Sequence, residues 1–145
     1  MLAGQRRDYK YKRETMKKAI VIGASSGIGR ELAKILYQNG YVVGVMARRK
    51  HLLEELRKEI QSGIIIQEID VADAEAAMGI LSTFIDQMGG IDIVVISAGT
   101  GEINNDLIWQ VENETIKTNV IGFTALANVA IHHFIEKGSG HLVGI

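Results

Sequence analysis

The chain has 145 residues, 47% of them hydrophobic and 23% charged, with no cysteine, no proline and a formal net charge of −1. That length suits one domain burying roughly 70% of the surface an extended chain would expose. The composition excludes a disulfide framework, a cysteine metal site and an intrinsically disordered chain, and it fits a reducing, cytoplasmic setting.

The charge is unevenly placed. Residues 1–18 hold seven basic side chains against two acidic ones, and the remainder holds nine against fifteen. A basic arm can touch nucleic acid or a membrane. However, Met16-Lys17-Lys18-Ala19 reads as a natural start directly before a strand. Residues 1–16 are therefore expected to be a basic, flexible extension and 17–145 the folded domain, with neither nucleic acid nor membrane as a partner. The arm has no apolar core, so it does not read as a signal peptide. The stretch Val120 to Ala130 is too short and interrupted to span a bilayer.

In chain order, Ala19 to Ile22 is a short apolar run that predicts a strand buried on both faces. It stops at Gly23-Ala24-Ser25-Ser26-Gly27-Ile28-Gly29, where glycines permit unusual backbone angles and close approach of a phosphate. A helix starting near Gly27 would aim its unpaired N–H groups and positive dipole end at that phosphate. Its apolar face is Leu32, Ala33, Ile35 and Leu36, and Asn39-Gly40 stops it. Tyr41 to Ala47 predicts a second strand, followed by Arg48-Arg49-Lys50. A helix over Leu52, Leu53, Leu56 and Ile60 closes at Ser62-Gly63. Ile64 to Ile69 is a third strand ending in Asp70-Val71. Asp73 caps a helix running to about Met88, with Gly89-Gly90 as its stop. Ile91 to Ile96 is a fourth strand ending in Ser97-Ala98-Gly99. One long helix is expected from about Val111 to Lys137, and His141 to Ile145 is a fifth strand.

Strands alternating with helices imply a Rossmann-type α/β fold, a doubly wound parallel sheet in three layers with right-handed crossovers. Ligands in such sheets sit outside the carboxyl ends of the strands. Four strand ends here carry suggestive residues: Gly23 to Gly29, Arg48-Arg49, Asp70-Val71 and Ser97-Ala98-Gly99. The set reads as a dinucleotide site with no metal. An NAD site usually places an acid after the second strand for the ribose 2′-hydroxyl. Here Ala47 is followed by Arg48, whose guanidinium suits a 2′-phosphate, so NADP(H) is favoured over NAD(H). The competing reading is that Arg48-Arg49-Lys50 only solvates the start of a helix. Asp70 is suited to the adenine amine with Val71 beside the ring, or to capping the next turn.

These motifs resemble the short-chain dehydrogenase/reductase family over about Lys17 to Ile145. The glycine pattern, the Asp70-Val71 pair and Ser97-Ala98-Gly99, similar to the family's Asn-Ala-Gly, occur in the family's order. Thr118-Asn119-Val120-Ile121-Gly122 resembles the segment carrying the family's catalytic asparagine, which would make Asn119 a catalytic residue. Ile22 and Ser97 depart from the family's usual threonine and asparagine, a change expected to loosen hydrogen bonds bracing the turn. The resemblance implies hydride transfer between NADP(H) and a carbonyl or alcohol substrate in the intact protein.

The family's catalytic serine, just after the fifth strand, and its Tyr-x3-Lys pair do not appear. Ser139 precedes the fifth strand, and Tyr9 is followed at the lysine position by Arg13. The chain is therefore expected to be truncated after the fifth strand, the alternative being a non-catalytic NADP(H)-binding module. The long helix bears one apolar row of Ile116, Val120, Phe123, Ala127, Ala130 and Phe134, and another of Ile121, Leu126, Val129 and Ile135. One face suits the sheet and the other a partner. In the family that helix packs dimers, so a homo-oligomer through Val111 to Lys137 is expected, with the fifth strand an unprotected edge.

Overall fold

Apolar, β-branched runs stopping at glycine or turn residues become strands, and amphipathic stretches become the crossovers between them. In the computed structural model, which describes residues 16–60 and 63–145, the order is β1 (Lys18–Ile22), α1 (Gly27–Gln38), β2 (Val42–Ala47), α2 (Lys50–Glu59), β3 (Ile64–Glu68), α3 (Ala74–Gln87), β4 (Ile93–Ile96), α4 (Trp109–Ile116), a π-helical turn (Lys117–Gly122), α5 (Phe123–Lys137) and β5 (His141–Gly144). The basic arm up to residue 15 and the Ser62 of the predicted helix stop lie outside the described residues.

All pairings are parallel, in the order β3-β2-β1-β4-β5. This is the predicted Rossmann-type, doubly wound sheet. The chain steps outward from β1 to β3, then returns past β1 to β4, which puts the topological switch point between β1 and β4. Ile22 sits beside both Met46 and Ile96. The ladder continues one residue further, with Gly23 N donating to Met46 O at 2.7 Å and Ser97 N to Ile22 O at 2.8 Å. The glycine turn and the Ser97 segment are thus held level with each other by backbone bonds.

The period-two alternation of the strands divides the core. Ile20 and Ile22 pack with Met46, Leu81, Phe84 and Leu126 on one face. Val21 packs with Val43, Val45, Leu53, Leu56 and Ile64 on the other. Asp73 caps α3 as predicted, its Oδ1 accepting from Ala76 N at 3.2 Å. Gly138 ends α5 in the left-handed conformation.

Three expectations need correction. Ile35 is not a core residue of α1: Ala33 is buried and Leu32 and Leu36 partly so, but Ile35 is exposed. No described helix covers the α1 side of β4 and β5, so Ile28, Ile35 and Ile145 border an open apolar groove. Ile91 precedes β4 instead of opening it, and its N–H donates to His133 Nε2 at 3.2 Å.

The third correction concerns the stretch from Val111 to Lys137, which is not one helix. It breaks at the π-helical turn, which adds a residue to the winding and re-aims the side chains there. Gly122 explains how that turn is seated: a Cβ at this position would lie 2.1 Å from the Val71 carbonyl oxygen. Only a glycine lets the turn rest on the end of the β3 segment. Leu126 and Ala130 of α5 are buried, whereas Val120, Ile121, Ile131 and Ile135 are exposed.

Candidate functional site

The carboxyl ends of β1, β2 and β4, with the segment after β3, surround a cleft of about 380 Å³. Its wall takes Gly23, Ser25, Ser26, Gly27 and Ile28 from the first turn, Arg48 and Arg49 after β2, Asp70 and Val71 after β3, and Ser97, Ala98 and Gly99 after β4. Of the residues predicted for cofactor contact, only Gly29 lies outside the wall. Asn119 also lies outside it, although its neighbour Thr118 lines the cleft.

The glycines divide their work. Gly23 has φ +93°, and a Cβ there would lie 2.5 Å from Ala98 N. A Cβ on Gly29 would lie 2.5 Å from the Gly23 carbonyl oxygen. Both are close approaches between backbone segments, so these two glycines build the turn from behind. Gly27 differs: its φ is +59°, and no atom lies within 4 Å of where its Cβ would be. The open space in front of α1 is at Gly27, as a phosphate site at a helix N-terminus requires.

The hydroxyls beside that space are already oriented. Arg49 Nη2 donates to Ser25 Oγ at 3.0 Å and to Ser26 Oγ at 3.1 Å. Ser26 is the N-cap of α1 but makes no side-chain bond to its first turn. A guanidinium therefore spans from the end of β2 to the turn after β1. Arg48 lines the same cleft from an exposed position.

Asp70 uses one carboxylate oxygen locally, Oδ1 accepting from Ala72 N at 3.0 Å. The turn-capping role weighed in the sequence is therefore present, on a residue that also lines the cleft. Asn119 is exposed rather than satisfied inside a packed helix. Its Oδ1 accepts from Thr100 N at 2.9 Å and its Nδ2 donates to Thr100 O at 2.7 Å. This two-point clasp ties the π-helical turn to the segment leaving β4.

Sequence reasoning missed Ala47, Ile69, Thr100, Thr118 and Ile145 as wall residues. Each adjoins a recognised motif or ends a strand. The available signal was the level finish of the strands, which exposes the flanking residue as well as the motif. Among the described residues, no group of three His, Cys, Asp or Glu is placed to hold a metal ion. Nor is any described helix long and apolar enough to cross a membrane.

A family model described as short chain dehydrogenase matches residues 17–145. An uncharacterized oxidoreductase of Myxococcus xanthus (strain DK1622) is 38% identical over 132 residues, covering 88% of this chain and 52% of the relative. Among solved structures, an F189W actinorhodin polyketide ketoreductase with NADPH superposes with a TM-score of 0.81 at 25% identity, over 91% of this chain and 53% of that one. A 3-ketoacyl-ACP reductase from Sinorhizobium meliloti 1021 gives a TM-score of 0.79 at 30% identity, over 88% and 52% respectively. The chain spans about half the length of the curated relatives it matches.

Proposed function

The chain belongs to the short-chain dehydrogenase family, and from that premise we propose that its cleft binds NADP(H) in preference to NAD(H). In the whole protein this binding serves hydride transfer between the nicotinamide and a carbonyl or alcohol. The observation that carries the reading is the open space at Gly27, framed by tight backbone contacts at Gly23 and Gly29. A pyrophosphate fits there against the α1 N-terminus. The similarity to a ketoreductase solved with NADPH agrees with that reading.

The residues divide into roles. Gly27, Ile28 and the two serine hydroxyls receive the phosphates, while Arg48 and Arg49 hold the 2′-phosphate by charge-assisted hydrogen bonds. Asp70 and Val71 bound the adenine, and Ser97, Ala98 and Gly99 let the cofactor pass close to the backbone. Asn119 keeps Thr100 in place at the cleft through its clasp. When bound, the nicotinamide supplies the hydride chemistry, and the protein orients it. Self-association through the exposed side of α5 belongs to the same reading, as does a reducing, cytoplasmic setting consistent with a chain free of cysteine.

Fluorescence titration with NADPH and NADH tests the cofactor assignment. NADPH should bind about tenfold to a hundredfold more tightly, since each charge-assisted contact is worth about 1.5–3 kcal/mol. Arg48→Ala should reduce that ratio while leaving NADH affinity nearly unchanged, whereas Arg49→Ala should weaken both cofactors, because it also removes the partner of the Ser25 and Ser26 hydroxyls. Equal affinity for the two cofactors overturns the preference.

A further inference from the structure

We propose that the π-helical turn is a strut joining two ends of the cleft, with Asn119 and Gly122 as positioning residues for the wall at Val71. The adenine part of this inference rests on the cofactor reading above. The six residues Lys117–Gly122 make three attachments. Thr118 lines the cleft directly. Asn119 holds Thr100, after β4, through bonds of 2.9 and 2.7 Å. Gly122 rests on Val71, after β3, where a Cβ would overlap the carbonyl oxygen and lie 2.5 Å from Cγ1. Thr100 and Val71 both line the cleft, yet β2 and β1 lie between their strands in the sheet. The turn therefore spans a distance that the sheet does not bridge directly.

A π-helical winding is rare, and it persists where other contacts enforce it. On the C-terminal side, α5 is anchored by buried Leu126 and Ala130. On the N-terminal side, α4 has no buried residue, and Lys117 pairs with Glu114 of that same helix. The Asn119 clasp is thus the attachment that holds the leading half of the turn to a strand end. The wider winding also sets positions 119 and 122 further apart around the axis than an α-helix would. One can then meet the end of β4 while the other meets the end of β3.

The seat on Val71 transmits displacement because it involves backbone on both sides. No flexible side chain lies between Gly122 and the Val71 carbonyl to absorb a shift. Releasing the clasp lets the segment rewind as α-helix, which turns Gly122 away from Val71. An element with two windings, biased from both ends, is a physical carrier of coupling, and such coupling is reciprocal.

Two amides report on the two ends. Thr100 N donates to Asn119 Oδ1, and Ala72 N, next to Val71, donates to Asp70 Oδ1 at 3.0 Å. Ser97 N, bonded to Ile22 O at 2.8 Å, is the control. Residue-resolved hydrogen exchange is measured on the unmodified chain, Asn119→Ala and Gly122→Ala, and ADP affinity by calorimetry. Asn119→Ala should speed exchange at Ala72 and weaken ADP, each about threefold to tenfold, although Asn119 touches neither. Gly122→Ala should speed exchange at Thr100 by a similar factor. Exchange at Ser97 should stay within about twofold of the unmodified chain in both variants.

Unchanged exchange at Ala72 in Asn119→Ala overturns the strut, and because Asn119 is exposed this variant decides even where Gly122→Ala does not fold. Equal acceleration at Ser97 also overturns it, since that reports general destabilisation. ADP binding equally to the unmodified chain and Asn119→Ala overturns the link to the adenine wall. If ADP binds neither protein while Ala72 still exchanges faster in Asn119→Ala, the cofactor reading falls and the strut stands.

Discussion

β1 lies in the middle of the sheet, hydrogen-bonded to β2 on one side and β4 on the other. Its residues Ala19 to Ile22 are completely buried. β5 pairs in regular parallel register with β4 alone. Of its four residues only Leu142 is even partly buried, and Val143 remains 40% exposed. Both strands are short, largely apolar and fully registered with a neighbour. What separates them is the layers: α1 and α2 cover one face of β1, β2 and β3, and α3 and α5 cover the other face of the sheet. On the α1 side, β4 and β5 have no described helix above them. A parallel sheet draws its stability from cover on both faces, so stability and the candidate site are both concentrated where β1 meets β2 and β4.

The sharpest way to break that concentration is at the β1–β4 junction itself. Gly23→Val would drive a branched side chain into the Ala98 backbone, where even a Cβ lies at 2.5 Å, and would do so at a left-handed φ. Overpacking against backbone combined with φ strain puts the expected loss above about 4 kcal/mol. Chemical denaturation should show it, with the variant substantially unfolded if the starting stability is marginal. Gly27→Val sharpens the same point. Its neighbourhood is open, so the fold should survive with a loss of about 1 kcal/mol from strained φ. NADPH binding should nevertheless disappear, and undiminished binding in a folded variant would remove the glycine turn from the site.

Next in size is a truncation inside the core. Ile20→Ala removes a fully buried side chain facing Phe84, Leu81 and Leu126 in the larger core. The expected cost is about 2–5 kcal/mol, from lost transfer energy plus a residual cavity. A loss below about 1 kcal/mol in urea unfolding would mean that β1 is not the strand on which stability is concentrated.

A smaller effect is expected at the opposite rim of the sheet. Asp92 Oδ2 accepts from Lys18 N at 2.8 Å, and its Oδ1 is paired with the Lys137 ammonium. Partial burial pushes the carboxyl upward, but the bonds to Lys137 and Lys18 outweigh it and hold Asp92 below its ordinary value. A carboxyl lowered on folding stabilises fully above the unfolded value of 3.8. That contribution is lost as pH falls through the folded value. Because the pair is partly solvated, the contribution is about 1 kcal/mol or less. Asp92→Asn should therefore be slightly less stable than the parent at pH 7 and indistinguishable from it near pH 2. A gap that stays constant with pH would assign the effect to packing rather than charge.

Much of this organisation was legible in the residues. Ala19 to Ile22, Val43 to Ala47 and Val94 to Ile96 are apolar runs with clear stops, and periodicity read them because burial on both faces removes ambiguity. Asp73 and Asn39-Gly40 marked helix ends through local chemistry that a sequence displays directly. The π-helical turn was not legible. It depends on Gly122 meeting Val71, residues far apart in sequence, and no local pattern separates it from an uninterrupted helix. Ile35 was misplaced for a related reason: amphipathic spacing gives the direction of a side chain, but not whether another layer lies there. At the cleft, the motifs identified the right strand ends. The Arg49 bridge to Ser25 and Ser26, and Asn119's commitment to Thr100, required the folded geometry.

The smallest effect on stability, and the most direct probe of the uncovered side, is expected from Val143→Lys. Val143 is already 40% exposed on the edge strand, so replacing it removes little buried area. Unfolding free energy should change by no more than about 0.5 kcal/mol. Association should respond much more. An unpaired β5 edge is a template for another chain, and an edge lysine is among the commonest ways natural sheets block such pairing. The exposed Ile131 and Ile135 of α5 add apolar surface elsewhere on the molecule. Burial stabilises by about 25 cal/mol per Å², so a patch of several hundred Å² corresponds to several kcal/mol. Lost translational and side-chain freedom offsets much of that gain. Concentration-dependent light scattering of the unmodified chain, reduced in Val143→Lys, would locate association at the β5 edge. Equal scattering from both proteins would move it to α5, and a monodisperse unmodified monomer at high concentration would show that neither surface associates.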